Sequence, residues 1–536
     1  MSQQNNTLVW FLLVDSKGQP FKGTPVSSLS PTSLSIVDQF RDAVHLKNSS
    51  AFIGINSSQL TVYANMLAFQ GKESPLEGDS VLSGLGASEK EAIIVVVPLS
   101  TSSPSTWVGH KQRTAVYPEN AMRQPLFERE ATAFMQHPPI CSVTFFQGDI
   151  ATAKQFLETR LATVLALNPW LGGTLARVGR KVELVYPAES IPLNGLFSVL
   201  TEPVKNLEMT TEYEVLMKAC IPLSIGGNGL ANGAKQLKSK SVISRVVIAP
   251  TTKSGTPGFA LVFSLSHAVA DGYTYYEILG MLSDNPLAVV RAMNPARKQE
   301  YEAEHLSRLI SPKVLKFGAS LTFMKAYVAG MIRKPLARPL AYFVDQERVN
   351  QTKAAHSSDT FISTNDIITS HLMTVCSPRL GMMAINYRPR CPILDSNDAG
   401  NYEEIVLSDL EGYKTPDAVR ASLVADADGA YVGIKKQLPG FWGKCSLAFI
   451  SSWAMKGTSP PFDLSLGEKA QQLLHLPILF LPMPLARCPM DTAIVFRPLP
   501  NKLALLVFAK TANSQTLLAG NHPFGACVNP DMFSET

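Results

Sequence analysis

Phe263-Ser264-Leu265-Ser266-His267-Ala268-Val269-Ala270-Asp271-Gly272 is the stretch on which the reading of this chain turns. The run before it, Phe259 to Leu265, reads as a buried strand, and Tyr273 to Leu282 reads as a helix opening behind a small residue. His267 therefore sits where a strand ends, with its ring at the mouth of whatever cavity that strand borders. A neutral imidazole titrates near pH 6.5, so it can take a proton from an alcohol or amine at working pH. Asp271 lies about one helical turn further on, at a helix N-terminus, where a carboxylate is stabilised. It is better placed to fix the loop than to touch a substrate. A His-x-x-x-Asp spacing occurs by chance in many chains, and a buried histidine is often only a satisfied core residue. The strand before it, Gly272 after it and matching segments elsewhere carry the functional reading.

Composition bounds the answer. The chain has 536 residues, too many for one core, so several domains are expected. Hydrophobic residues make up 46% and charged residues 17%, which suits a well-buried folded protein. The net charge of +5 is mildly basic. No basic cluster is interleaved with aromatics and there is no zinc-finger or helix-turn-helix pattern, so nucleic acid is not an expected partner. The 7 cysteines are scattered, odd in number and without Cys-x-x-Cys, which reads as reduced thiols rather than a disulfide framework or a metal site. Met1-Ser2-Gln3-Gln4-Asn5-Asn6 lacks the basic residues and apolar stretch of a signal peptide. A cytoplasmic monomer is the expectation. Val314 to Ile332 is apolar but interrupted by Lys316 and Lys325 and followed by Arg333 and Lys334. It reads either as an amphipathic helix giving peripheral membrane contact over 314–334, or as a helix packed on the protein body. Leu473 to Leu485 is too short to span a bilayer and is broken by Pro477, Pro482 and Pro484.

Three blocks follow along the chain. In the first, Leu8 to Val14 reads as a strand followed by a Lys17-Gly18 turn. Pro31 to Val44 reads as a helix with Ile36, Phe40 and Val44 on one face, Gln59 to Tyr63 as a short strand, and Ala92 to Val97 as a closing strand. Residues 99–116 read as a linker, rich in Ser, Thr and Pro up to Arg113. The remainder divides into halves at 117–345 and 346–536. The first half opens with a strand, Ile140 to Phe146, and a helix, Ile150 to Leu167, whose Leu157, Leu161, Val164 and Leu165 share a face. A strand Lys181 to Tyr186 follows. Asp345 to Ser358 is polar and reads as a crossover. Ser363-Thr364-Asn365-Asp366 starts a helix with a hydroxyl cap and a stripe of Ile367, Ile368, Leu372 and Val375. Met382 to Tyr387 is a strand, and Ala493 to Phe496 with Leu503 to Phe508 forms a hairpin around Pro500-Asn501-Lys502.

Two resemblances follow from these residues. The first block, through Leu8 to Val14, Ser35 to Val44 and Leu60 to Tyr63, resembles the ubiquitin-like header of Crinkler-type proteins. This implies a β-grasp domain over 1–98 with a surface suited to a protein partner. In the larger part, four segments in order resemble the chloramphenicol acetyltransferase-like superfamily. Asn168-Pro169-Trp170-Leu171-Gly172-Gly173-Thr174-Leu175 is similar to the "pPLAGRL" element of BAHD acyltransferases. His267 to Gly272 matches their His-x-x-x-Asp-Gly. Phe361 to His371 is similar to the "vSTNDaltA" helix start of fungal trichothecene-type acetyltransferases. Asn386-Tyr387-Arg388-Pro389-Arg390, with Gly400-Asn401 beyond it, is similar to the "R-x-R…GN" segment.

This second resemblance implies an α/β fold of two similar halves with mixed sheets and a central tunnel. Acyl-CoA would be co-substrate, a small-molecule alcohol or amine the acceptor, and His267 the general base; no bound cofactor or metal is implied. Asp271 and Gly272 would support the site, with Arg388 as the partner of Asp271 and Arg390 as its rival. Asn401 would turn the backbone or line the tunnel. Ser363 and Thr364 would cap a helix or face the tunnel as oxyanion donors. The chain departs from the family near its C-terminus, where Pro523-Phe524-Gly525-Ala526-Cys527 stands in place of Asp-Phe-Gly-Trp-Gly. Two alternatives stay open: a condensation-type transferase using a carrier-bound acyl group, and a non-catalytic binding or effector protein on a decayed acyltransferase fold. A Ser–His hydrolase would need Gly-x-Ser-x-Gly, which Ser264 and Ser266 do not provide.

Overall fold

Alternation along one strand organises the larger part of the molecule. In the computed structural model, Gly258–Leu265 pairs antiparallel with Ile140–Gly148 on one side and Ser244–Thr251 on the other. Phe259, Leu261, Phe263 and Leu265 join one core with Leu157, Leu161, Val164 and Leu165 of the helix Ile150–Leu167. Ala260 and Val262 point the other way, into a core shared with Ile494, Phe496, Leu506 and Phe508 of a second sheet. Both faces are covered, which is why the run is apolar almost throughout. Each fully buried Phe or Leu contributes roughly 1.5–3 kcal/mol.

The structure describes the chain except residues 1–7, 16–17, 22–23, 31–34, 49–56, 58–59, 98–120, 189–192, 194, 228–231, 252–256, 334–338, 358–359, 427–429, 455–461, 481–488, 521, 523 and 529–536. The expected linker and the Lys17, Pro31 and Gln59 boundaries lie outside the described residues. The chain forms two compact units, Met1–Thr106 and Trp107–Thr536.

The second unit is mixed α/β. One sheet runs Ala470–Pro477, Ile140–Gly148, Gly258–Leu265, Ser244–Thr251, Phe197–Val199. The other runs Glu403–Ser408, Leu380–Asn386, Leu447–Ser452, Asp491–Leu499, Lys502–Phe508, Leu340–Val344, Phe524–Val528. In it, Leu447–Ser452 is parallel to both neighbours and the other pairings are antiparallel. A small antiparallel sheet joins Met122–Pro125, Lys181–Tyr186 and Thr174–Val178. Two strands cross the division at 345/346: Leu340–Val344 lies in the second sheet and Ala470–Pro477 in the first. The segment Phe524–Val528 is an edge strand paired with Leu340–Val344.

Helix starts follow their caps. Asp149 accepts from the Ala151 and Thr152 amides at 3.1 and 2.8 Å, a cap worth about 1 kcal/mol. Ser363 and Asp366 form a reciprocal capping box at the start of Thr364–Cys376. The expected crossover Asp345 to Ser358 is instead a helix, Gln346–Ala354, because Asp345 caps it through the Arg348 amide at 3.0 Å. The apolar stretch 314–332 is two helices, Pro312–Gly318 and Leu321–Arg333. Among the described residues, no helix is long and apolar enough to cross a membrane.

The first unit has a sheet ordered Ser27–Leu29, Val9–Val14, Ile93–Val96, Thr61–Tyr63, with a parallel central pair and antiparallel outer pairs. Its longer helix, Val37–Lys47, packs Val37, Phe40 and Val44 on Phe11, Leu13, Ile93 and Val95. It starts later than the periodicity predicts because Ile36 is extended (φ −129°, ψ 162°) and bridges Val81.

Candidate active site

The strand Gly258–Leu265 ends, and a short buried loop carries His267 to Asp271 at the start of the helix Gly272–Met281. Asp271 is the helix N-cap, accepting from the Thr274 amide at 2.9 Å. Its carboxylate is completely buried and forms a two-pronged ion pair with Arg388, at 2.7 Å (Nη1–Oδ2) and 3.3 Å (Nη2–Oδ1). The Tyr402 amide adds a third donor at 3.1 Å. Arg388 spends its remaining N–H groups on the Asp398 and Gly400 carbonyls, at 2.8 and 3.0 Å, on Thr274 Oγ1 and on Asn386 Oδ1. The rival Arg390 instead donates to the Leu423 carbonyl at 3.0 Å and takes no part. Gly272 opens the helix, and a side chain there would meet nothing nearer than Trp453 at 3.9 Å, so close packing does not require glycine.

A second buried ion pair clamps the same loop from the other side. Arg297 Nε and Nη2 hold the two Glu130 oxygens at 2.8 and 3.0 Å, and Nη2 also donates to the Val269 carbonyl at 2.8 Å. Asn401 completes the clamp: its amide nitrogen donates to Glu130 at 2.9 Å and to the His267 carbonyl at 2.9 Å. Of the two roles expected of Asn401, these bonds serve the backbone one: the residue is fully buried and its donors hold the backbone of the histidine. Gly400 before it has φ +150°, and a Cβ there would press on Arg297 at 3.2 Å and Tyr402 at 3.0 Å; only glycine suits that backbone. Two buried pairs are expensive to desolvate and add little net stability, but they hold geometry once formed.

His267 is thus fixed through its backbone. Its side chain is 20% exposed; Nδ1 is buried, and Nε2 faces Glu403 Oε1 at 3.8 Å. Phe134 and His137 flank the ring at 5.1 and 5.2 Å between centroids. Burial lowers the pKa of His267, with Asp271 opposing, so the ring is neutral and basic at pH 7. Crowding by protein atoms, then the neighbouring His267, lowers that of His137 although its edge reaches solvent. Burial, then the nearby Asp271 charge, pushes the Glu403 carboxyl up to about 8, against Arg129 and Arg388. At 3.8 Å the two groups do not bond directly.

The other sequence-predicted residues do not join this group. Ser363 is the helix cap already described, and Thr364 Oγ1 accepts from Lys353 at 2.9 Å. Of the two roles expected of them, capping is the one these bonds serve, and neither bond reaches the His267 loop. His371 lies half-buried on the helix Thr364–Cys376, and His522 bonds the Leu517 carbonyl at 2.7 Å. Sequence reasoning missed Glu130, Arg297, Glu403 and His137. Glu128-Arg129-Glu130 reads as a solvated charge run, and Glu403-Glu404 likewise. Among the described residues, no group of three His, Cys, Asp or Glu is placed to hold a metal ion.

No family model and no curated protein matches the chain. It is similar to the crystal structure of F. graminearum TRI101 with coenzyme A and T-2 mycotoxin, at 14% identity over 75% of this chain and 98% of that one, with a TM-score of 0.48. It is similar to vinorine synthase at 14% identity over 76% and 94% of the two chains, TM-score 0.44. Polyketide synthase associated protein 5 from Mycobacterium tuberculosis is similar at 12% identity over 75% and 98%, TM-score 0.42.

Proposed function

We propose that the second unit is an acyl-CoA-dependent acyltransferase acting on a hydroxyl of a small-molecule acceptor, with His267 as general base. One observation carries this reading. A histidine stands at the end of a buried strand, its loop clamped by two buried ion pairs and its part-exposed side chain turning Nε2 towards Glu403. The order of the four family-like segments supports the choice of thioester chemistry.

In the proposed reaction both substrates are bound together in a tunnel, without a covalent acyl-enzyme. The acceptor hydroxyl donates its proton to Nε2 as its oxygen attacks the thioester carbonyl. The tetrahedral intermediate collapses, the carbon–sulfur bond breaks, and the departing thiolate takes the proton back from the imidazolium. Asp271, facing Arg388, does not meet the substrate. A thermal-shift series with acyl-CoAs of increasing chain length tests binding, since a ligand well above its dissociation constant stabilises the folded state by RT ln(1 + [L]/Kd). Thiol release with acceptor present tests transfer. Binding without transfer over a broad acceptor panel would favour the non-catalytic reading.

The proposed pH dependence has two limbs. His267 has a lowered pKa, so the acid limb of kcat/KM should lie below pH 6.5. Glu403 loses its proton near pH 8, placing a carboxylate where the neutral acid stood and opposing an anionic co-substrate, so the rate should fall above that pH. Glu403→Gln should remove the alkaline limb alone. Stability gives an independent check. A carboxyl whose folded pKa is raised above its unfolded value loses stability as pH rises from the unfolded value through the folded one. Glu403→Gln should therefore raise the melting temperature more at pH 9 than at pH 5. An equal shift at both would refute the neutral acid.

We read the first unit as a β-grasp module for protein contact or targeting. Its core is its own, and every residue of the His267 group lies beyond it. A chain starting near Val116 should fold and keep its acyl-transfer rate. An insoluble or inactive truncated chain beside an active full-length one would defeat this modular reading.

A further inference from the structure

The helix Leu321–Arg333 has two apolar faces. The inner one packs Ala326, with Phe323 and Tyr327, against Phe317, Leu380, Met382 and Leu447. A Cβ on Gly330 would strike the Pro489 carbonyl at 1.8 Å, so the backbone itself lies on the body of the protein. The outer face repeats Leu321, Met324, Val328 and Ile332 at helical spacing, 77%, 52%, 41% and 78% exposed. A surface helix ordinarily turns polar residues outward. Beside this face stand Phe441 and Trp442, 42% and 89% exposed. Lys325 ties them to the helix: Nζ donates to the Phe441 carbonyl at 2.8 Å and sits 4.9 and 5.5 Å from the two ring centres.

The two stretches of chain that carry the patch are basic in sequence. From His305 to Val344 the chain carries seven Lys and Arg and no Asp or Glu, and from Gly429 to Phe462 four Lys and again no acid. The nearby acid Glu411 is occupied by Lys414 and Lys436. A second copy would bring two basic collars face to face. An anionic bilayer matches all three features: aliphatic side chains for the acyl boundary, an exposed Trp for the headgroup level, and lysines for phosphates.

We propose that this face, Leu321, Met324, Val328, Ile332 and Trp442 with Lys316 and Lys325, docks the protein on an anionic phospholipid bilayer. The contact is peripheral and independent of the reaction at His267. Flotation of the full chain with vesicles of phosphatidylcholine alone, or with about one third phosphatidylserine, tests it. The wild-type chain should float with the anionic vesicles, weakly with the neutral ones, and less as salt rises. Leu321→Glu with Ile332→Glu should weaken binding at least about tenfold, and Lys316→Glu with Lys325→Glu by a similar factor. Trp442 fluorescence should be quenched by brominated lipid, and Trp442→Ala should remove that quenching. All these residues lie on the surface, so an unchanged melting temperature certifies each variant. Failure of the wild type to float, or equal flotation of the Leu321/Ile332 variant, overturns the proposal. So does a dimer, seen by light scattering, that Leu321→Glu dissociates.

Discussion

Replacing His267 with Ala is expected to lower kcat/KM for acyl transfer by about 10²- to 10⁴-fold, the usual contribution of a positioned general base. That corresponds to roughly 3–5 kcal/mol of lost transition-state stabilisation. The effect should fall on kcat, because the imidazole gains its proton only as the acceptor oxygen attacks. The fold should survive. The side chain is partly exposed, while the hydrogen bonds at this position belong to the backbone: the His267 carbonyl accepts from Asn401, and the loop is held by Asp271–Arg388 and Glu130–Arg297. The acyl-CoA thermal shift should therefore persist in the variant while thiol release disappears. Added imidazole, small enough for the space left beside Glu403, should restore part of the rate. A variant that turns over a confirmed acceptor at close to the wild-type rate would rule out His267 as the base.

What could be read in the sequence, and what could not, divides by range. The helix Ile150–Leu167 was legible at both ends, because Asp149 caps it and Asn168-Pro169 stops it locally. The strand before His267 was legible because both its faces are buried. Arg388 was singled out only through its resemblance to a known segment; nothing local marks it over Arg390, and the carboxylate that it pairs with, Asp271, lies 117 residues away. The Glu130–Arg297 clamp was not legible. Glu130 meets Arg297 across 167 residues and Asn401 across 271, and no periodicity reports a contact at that range. Its acid sits in a run of charges that ordinarily marks a solvated helix face. The interlocking of the halves escaped for the same reason: nothing in the sequence reading marks Ala470–Pro477 or Leu340–Val344 as strands or says which sheet they join. Short-range physics thus places the base, while the parts that immobilise it come from pairings distant in sequence.

The largest loss of stability should come from Arg388→Met. Arg388 is 3% exposed and Asp271 fully buried, so removing the guanidinium leaves a carboxylate in the interior with only the Thr274 and Tyr402 amides to compensate it. The carbonyls of Asp398 and Gly400 lose donors at the same time. Breaking one side of a buried pair costs about 3–5 kcal/mol. Asp271→Asn should cost less. Asn is as good an N-cap as Asp, so the bond from Thr274 survives, and Arg388 keeps its carbonyl acceptors. Combining Asp271→Asn with Arg388→Met removes both charges, so the double variant should be more stable than Arg388→Met alone, with a coupling energy of about 1–3 kcal/mol. The second unit's own unfolding transition, followed in urea and by calorimetry, measures all three variants against the parent. Rate separates a positioning role from bulk stability. The double variant, though restabilised, lacks the fork joining the helix N-cap to the Gly400 backbone, so kcat should stay depressed while acyl-CoA binding recovers. If Arg388→Met costs under about 1 kcal/mol, or the two substitutions add without coupling, the ion pair does not anchor the histidine loop.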